Sequence, residues 1–268
     1  MQLLRVDFGS EIGFGHLKRA THFSERLKMK SEKCIIICKK CEQKYTKIPI
    51  IKIKNESEFF DKVKELSPDE VIVDSYDFTL EDEKKFKELF PEIKLICFDD
   101  FEKQHFCDEV VSLNPCTKHK RIKLKLKKRY FKRKGIMVSI GATDPKGVIF
   151  KILKYLKGDI HIYTTSQNPN LNKLKRAAKL KKAKLHIDED TKKALFKHKF
   201  AILSASTLSI EALEAKIPFI SVQVADNQEN IAECLTRKRI KVIKENEIKK
   251  RFDIIIKKAL RCLKTEKL

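Results

Sequence analysis

The stretch Gly9-Ser10-Glu11-Ile12-Gly13-Phe14-Gly15-His16-Leu17-Lys18-Arg19 puts a histidine on the first turn of a helix, directly behind a glycine-rich loop. Glycines there let the chain turn tightly and let a ligand approach the backbone. The helix start that follows offers unpaired N–H groups and a positive potential to an anion. A histidine so placed faces the ligand and is able to take a proton near neutral pH. The plainer reading makes His16 a capping or packing residue. The glycines lack the spacing of the dinucleotide fingerprint, and the absence of Gly-Lys-Ser/Thr excludes a P-loop.

Two later loops repeat the arrangement. Ser139-Ile140-Gly141-Ala142-Thr143-Asp144-Pro145 ends an aliphatic run and exposes backbone N–H groups and a hydroxyl to a phosphate. Leu203-Ser204-Ala205-Ser206-Thr207-Leu208-Ser209-Ile210-Glu211-Ala212 ends another run in small hydroxyl residues and feeds a helix. That is the arrangement expected for a pyrophosphate, although Ser206 and Thr207 taken alone could equally be N-caps. Glu211 lies one turn into the helix, on the side able to bond a sugar hydroxyl, and Asp226-Asn227-Gln228 opens the next helix.

Carboxylates and cysteines offer further chemistry. Asp99-Asp100 follow a strand and point into the same cleft as His16. Asp188-Glu189-Asp190 resembles a metal-holding Asp-x-Asp, but Asp190 stands where a helix near 192 needs its N-cap. Cys38 and Cys41 form a CxxC with no second pair at zinc spacing, and His105, Cys107, Cys116 and His119 match no established ligand spacing. No metal or cofactor is assigned. The cysteines read as structural, and a reducing compartment argues against disulfides.

Strands must end at these loops and helices must begin there. Short aliphatic runs predict strands at 3–8, 33–38, 50–53, 71–74, 94–98 and 109–113, then at 136–140, 160–164, 184–187, 200–203, 219–222 and 241–243. Helical periodicity falls between them, at 16–28, 56–66, 79–89, 148–156, 171–181, 192–197, 208–216, 227–237 and 247–263. Thr79 with Asp82 forms a plausible capping box. Strict alternation argues for an α/β chain whose parallel sheets are covered on both faces. Two doubly wound domains follow, 1–133 and 134–268, with binding at the strand carboxyl ends.

The chain has 268 residues, 42% hydrophobic and 36% charged, with 7 Gly and 7 Pro, which excludes collagen, low-complexity and wholly disordered chains. Its longest aliphatic run is far shorter than the ~20 residues of a membrane span, and charges within the first 25 residues fit no signal peptide. The expected location is the cytoplasm, with no membrane partner. A formal charge of +23 invites a nucleic-acid partner. Lysine is spread over almost every segment, no aromatic pairs are interleaved with it, and Trp is absent, so none is expected. The densest basic block, 118–134, reads as a linker or an exposed helix.

Taken in order, these loops resemble a known family, the nucleotide-sugar hydrolase of pseudaminic acid biosynthesis. The matching pieces are Ile12-Gly-Phe-Gly-His16-Leu-Lys-Arg19, Asp74-Ser-Tyr76, Phe98-Asp-Asp100, Gly141-Ala-Thr-Asp-Pro145, Ser206-Thr-Leu-Ser-Ile-Glu211-Ala and Asp226-Asn-Gln228. The resemblance implies a GT-B fold, two Rossmann-like domains around a central cleft. It implies that water replaces UDP at the anomeric carbon of UDP-2,4-diacetamido-2,4,6-trideoxy-β-L-altropyranose, without a metal. His16 is then the base, and Tyr76 and Asp100 orient the water or the sugar. Gly13, Gly15, Arg19, Gly141, Thr143, Ser206, Thr207, Glu211, Asp226, Asn227 and Gln228 bind the substrate, with Glu211 on the ribose. Where the family carries a Tyr-containing stretch ahead of its second domain, residues 121–134 are Lys-rich here. A monomer is expected. The competing expectations are a GT-B glycosyltransferase, which shares fold and donor site, and a basic nucleotide- or nucleic-acid-binding protein. The short first domain, with no apolar surface helix for membrane docking, favours water as the acceptor.

Overall fold

Strands buried on both faces need apolar residues at consecutive positions rather than alternate ones, and the runs Leu3-Leu4, Ile35-Ile36-Ile37 and Val71-Ile72-Val73 meet that need. A computed structural model describes residues 1–9, 15–26, 34–41, 46–122 and 132–265. The chain divides into two compact units, Met1–Lys123 and Leu124–Leu268.

The first unit carries β1 (Gln2–Val6), α1 (Gly15–Arg26), β2 (Cys34–Cys38), β3 (Ile50–Lys52), α2 (Glu56–Leu66), β4 (Glu70–Asp74), α3 (Leu80–Leu89), β5 (Lys94–Phe98), β6 (Glu109–Ser112) and β7 (Lys120–Arg121). Its sheet has the order β3-β2-β1-β4-β5-β6-β7, all parallel. Leu3, Ile37, Val71, Val73 and Leu95 of the sheet pack with Phe59 and Phe60 of α2 and Phe86 of α3. Thr79 and Asp82 do form the capping box that starts α3, a feature that contributes ~0.5–2 kcal/mol.

The second unit carries β8 (Ile136–Ser139), α4 (Val148–Leu153), β9 (Ile160–Thr164), α5 (Leu171–Leu180), β10 (Lys184–Ile187), α6 (Thr191–Leu195), β11 (Phe200–Ser204), α7 (Thr207–Glu214), β12 (Phe219–Gln223), α8 (Glu229–Arg237), β13 (Lys241–Lys244) and α9 (Ile248–Thr265). The sheet order is β10-β9-β8-β11-β12-β13, again parallel throughout. Val138, Ile162, Ile202 and Val222 of the sheet meet Ile152 of α4, Leu174 of α5 and Phe252 of α9. Among the described residues no helix is long and apolar enough to cross a membrane.

Two expectations are corrected. The start of the basic block is neither linker nor helix: Lys120 and Arg121 form β7, paired with Val111 and Ser112 at the sheet edge. Exposed lysine and arginine suit an edge strand because charge discourages pairing with another chain. Residues 123–131 of that block lie outside the described residues. Cys38 and Cys41 are joined in a disulfide, with Cα atoms 6.1 Å apart. The turn after β2 brings them together, because Lys39 and Lys40 N–H both donate to Asp7 Oδ1, at 2.8 and 3.0 Å. Asp190 is the N-cap of α6, its side chain accepting from Lys193 N–H at 3.1 Å, and Asp188 Oδ1 accepts from Ser166 N–H at 2.9 Å. Both acidic groups serve the backbone.

Candidate active site

In the first unit β1, β4 and β5 lie side by side. The chain leaves β1 toward β2 on one side and returns at β4 on the other. This topological switch opens a crevice at the strand carboxyl ends. Asp74 is the last residue of β4, Asp99 and Asp100 follow β5, and α1 begins one loop after β1. His16, the second residue of α1, is thereby brought to Asp74 across 58 residues of sequence.

The contact is close and buried. His16 Nδ1 lies 2.6 Å from Asp74 Oδ1, with His16 only 7% and Asp74 2% exposed. Arg19, one turn along α1, grips the same carboxylate with Nε to Oδ2 at 2.8 Å and Nη2 to Oδ1 at 2.6 Å. Its Nη1 donates to Asp100 Oδ2, and Asp100 Oδ1 accepts from Ser112 Oγ at 2.8 Å. Burial pushes the Asp74 carboxyl up, but Arg19 and His16 outweigh it and hold the carboxyl down to about 2. The same carboxylates raise Arg19 above its ordinary value against the opposing effect of burial.

Charge then settles the tautomer. An ionised Asp74 only accepts, so His16 Nδ1 carries the proton that it donates, and in the neutral imidazole the acceptor is Nε2. Arg19 Nη2 also lies 3.0 Å from Nδ1, a contact that cannot be a hydrogen bond once Nδ1 is protonated. A carboxylate that orients an imidazole and leaves Nε2 as the acceptor is the working part of a general base. Tyr76 stands edge-on to the imidazole, ring centroids 4.7 Å apart, and is 48% exposed.

The structure thus brings His16, Arg19, Tyr76 and Asp100 together. Gly15 opens α1, and a Cβ there would meet nothing within 4 Å. Gly13 lies outside the described residues. Sequence reasoning gave Asp74 no role, although a carboxylate ending an otherwise aliphatic strand was the available signal.

In the second unit β8, β11 and β12 are neighbours, so the loops they feed emerge side by side at the strand carboxyl ends. Gly141 has φ of 75°, a left-handed conformation suited to glycine. Ala142 C=O is taken by Thr165, from N–H at 3.2 Å and Oγ1 at 2.7 Å, while Thr143 is half-buried. Asp144 is spent on the fold: it accepts from Val148 and Ile149 N–H at 2.7 and 3.0 Å. Burial outweighs those bonds and lifts its carboxyl to about 6.

Ser206 is the N-cap residue of α7, and its backbone N–H donates to Ser209 Oγ at 3.2 Å. Its hydroxyl also contacts Ser204 Oγ at 3.0 Å. Thr207 is the first residue of α7 and is half-buried. Glu211 faces Lys192 Nζ at 3.6 Å. Asp226, Asn227 and Gln228 form a short 3-10 helix. The first two are exposed, and Gln228 Oε1 accepts from Val224 N–H at 2.9 Å.

No protein-family model matches the chain. The chain is 30% identical over 269 residues to the UDP-2,4-diacetamido-2,4,6-trideoxy-β-L-altropyranose hydrolase of Campylobacter jejuni, covering 90% of this chain and 97% of that protein. Among solved structures it resembles MurG of Acinetobacter baumannii, with a TM-score of 0.62 and 15% identity over 95% of this chain and 90% of that one. It also resembles the spinosyn rhamnosyltransferase SpnG complexed with thymidine diphosphate, at a TM-score of 0.69 and 10% identity over 97% and 92%. These likenesses establish the expected α/β two-domain GT-B fold.

Proposed function

The chain belongs to the family of the UDP-2,4-diacetamido-2,4,6-trideoxy-β-L-altropyranose hydrolase, and from that premise we propose that it releases UDP from the same nucleotide sugar by attack of water at the anomeric carbon. The observation that carries the proposal is the buried pair of His16 and Asp74 at the carboxyl edge of the first sheet. His16 Nε2 takes a proton from water as its oxygen bonds to the anomeric carbon. The bond from that carbon to the diphosphate oxygen breaks, and its electron pair leaves with UDP. Asp74 stabilises the imidazolium that forms, and Arg19 holds Asp74 and Asp100 in place. Tyr76 and Asp100 orient the water or the sugar. A single displacement inverts the anomeric configuration.

The leaving group develops negative charge that fixed donors can meet without a metal. The loops at Gly141–Thr143 and Ser206–Thr207 supply backbone N–H groups and hydroxyls for it. Glu211 accepts from a ribose hydroxyl, and Asp226, Asn227 and Gln228 complete the nucleotide site. In this reading the protein acts as a monomer, and neither nucleic acid nor membrane takes part. The product would serve the synthesis of pseudaminic acid.

The test is hydrolysis in oxygen-18 water without any sugar acceptor. The label is expected in the free sugar, with inverted configuration, and UDP should be unlabelled. Label in UDP would mean attack at phosphorus and would end the role given to His16. UDP release that waits for an acceptor would make the chain a transferase.

A further inference from the structure

Beside α3 lies a cluster that the hydrolysis does not use. Glu83 of α3, Cys97 of β5, and His105 and Cys107 of the segment between β5 and β6 turn their ligating atoms inward, all within 4.8 Å of one another. Glu83 and Cys97 are only 3% and 2% exposed. We propose that these four side chains form a structural zinc site, one that ties the segment following Asp100 to α3 and β5.

The donor set carries the argument. Two sulfurs, one imidazole nitrogen and one carboxylate oxygen are the borderline-soft, four-ligand combination that suits Zn²⁺. Tetrahedral coordination at zinc bond lengths spaces its ligand atoms by roughly 3.3–3.8 Å, so the widest separations would close by up to about 1 Å while the Glu83–His105 pair opens slightly. His105 Nδ1 faces Glu83 Oε1 at 2.8 Å, and Glu83 Oε2 is fixed by Phe106 N–H at 2.5 Å.

The other ring nitrogen gives a second, independent indication. His105 Nε2 is buried and makes no hydrogen bond. Asp99 Oδ2 is 3.3 Å away, near enough for charge attraction but off the bonding line. With Nδ1 on a metal, Nε2 must carry the proton, and a small ring rotation gives it to Asp99. That would form the carboxylate–histidine–metal relay common around zinc. Asp99 is itself held by Phe101 and Lys103 N–H, both at 2.7 Å. Asp99, His105 and His119 form a smaller grouping around Nε2, without sulfur and with one ligand fewer.

Four protein ligands leave no open position, so the ion would hold structure rather than activate water. The inference therefore stands apart from the proposed hydrolysis. Spacing rules miss the set because its ligands come from α3, from β5 and from the segment after it.

The test uses the full chain, purified without a tag under reducing conditions from zinc-supplemented cells. Metal analysis should find ~1 zinc per chain. Cys107→Ser should lower occupancy roughly tenfold or more, while Cys38→Ser and His119→Ala should leave it unchanged. Cobalt(II) added to wild-type apoprotein should give a thiolate-to-cobalt charge-transfer band, a readout that does not depend on a variant folding. Zinc below about 0.1 per chain with no such band overturns the proposal. So does zinc that disappears with Cys38→Ser.

Discussion

Asp74→Asn is the most informative single change, because it keeps the shape of the side chain and removes the charge that sets the imidazole. Asp74 accepts from His16 and twice from Arg19. An amide there can present N–H to Nδ1, which moves the imidazole proton to Nε2 and leaves no base for water. Loss of the orienting carboxylate in a dyad of this kind lowers turnover by ~10³–10⁴, or ~4–5.5 kcal/mol in the barrier. Sugar-nucleotide affinity should stay within about threefold, since the interaction lost is needed mainly in the transition state. Stability should fall as well. The carboxyl is held to about 2 against an ordinary 3.8, a difference of about 2–3 kcal/mol in favour of the folded state. A depressed carboxyl contributes that stability above its unfolded value and loses it as pH falls through its folded one. The wild-type advantage should therefore be complete at pH 7 and should shrink between about pH 4 and about pH 2. Initial rates of UDP release, with melting curves at each pH, measure both effects. His16→Asn should match Asp74→Asn in turnover, and the double variant should be no worse than the poorer single one, because the two residues act as a unit. A folded Asp74→Asn enzyme with turnover within tenfold of wild type would refute the assignment, and so would a double variant whose losses multiply.

Three further outcomes are expected. Glu211→Ala should weaken UDP by ~1–3 kcal/mol in a titration; an unchanged dissociation constant would remove Glu211 from the ribose. Magnesium or manganese should not raise activity, and brief chelation should not lower it. A loss that magnesium or manganese restores would return Asp188 and Asp190 to consideration as ligands, whereas a loss that only zinc restores belongs to the site at Cys97 and Cys107. Tyr76→Ala should cost ~2–10-fold in turnover, the worth of an edge-on ring contact; no change in rate would remove Tyr76 from orienting the water or the sugar.

The strands were legible wherever burial on both faces made the chain continuously apolar, as at Ile35-Ile36-Ile37 and Val71-Ile72-Val73. β7 was not, because Lys120-Arg121 has no apolar residue and exists by pairing with β6. The site divides along the same line. His16 was legible because a glycine-rich loop and a helix start are local features. Its dependence on Asp74 was not, because 58 residues separate them, and Arg19 and Asp100 are 81 apart. Periodicity reports which face of an element is buried. It cannot report which strand lies next to which. That follows only from the order β2-β1-β4-β5, where the chain reverses its direction of travel across the sheet. The reversal sets the carboxyl ends of β1, β4 and β5 side by side, so the helix that starts after β1 meets carboxylates from both of the other strands. The buried charges can persist there because Arg19 of the same helix offsets Asp74 and Asp100. The order of strands is therefore the step by which this sequence brings His16 to Asp74, and residue spacing alone does not contain it.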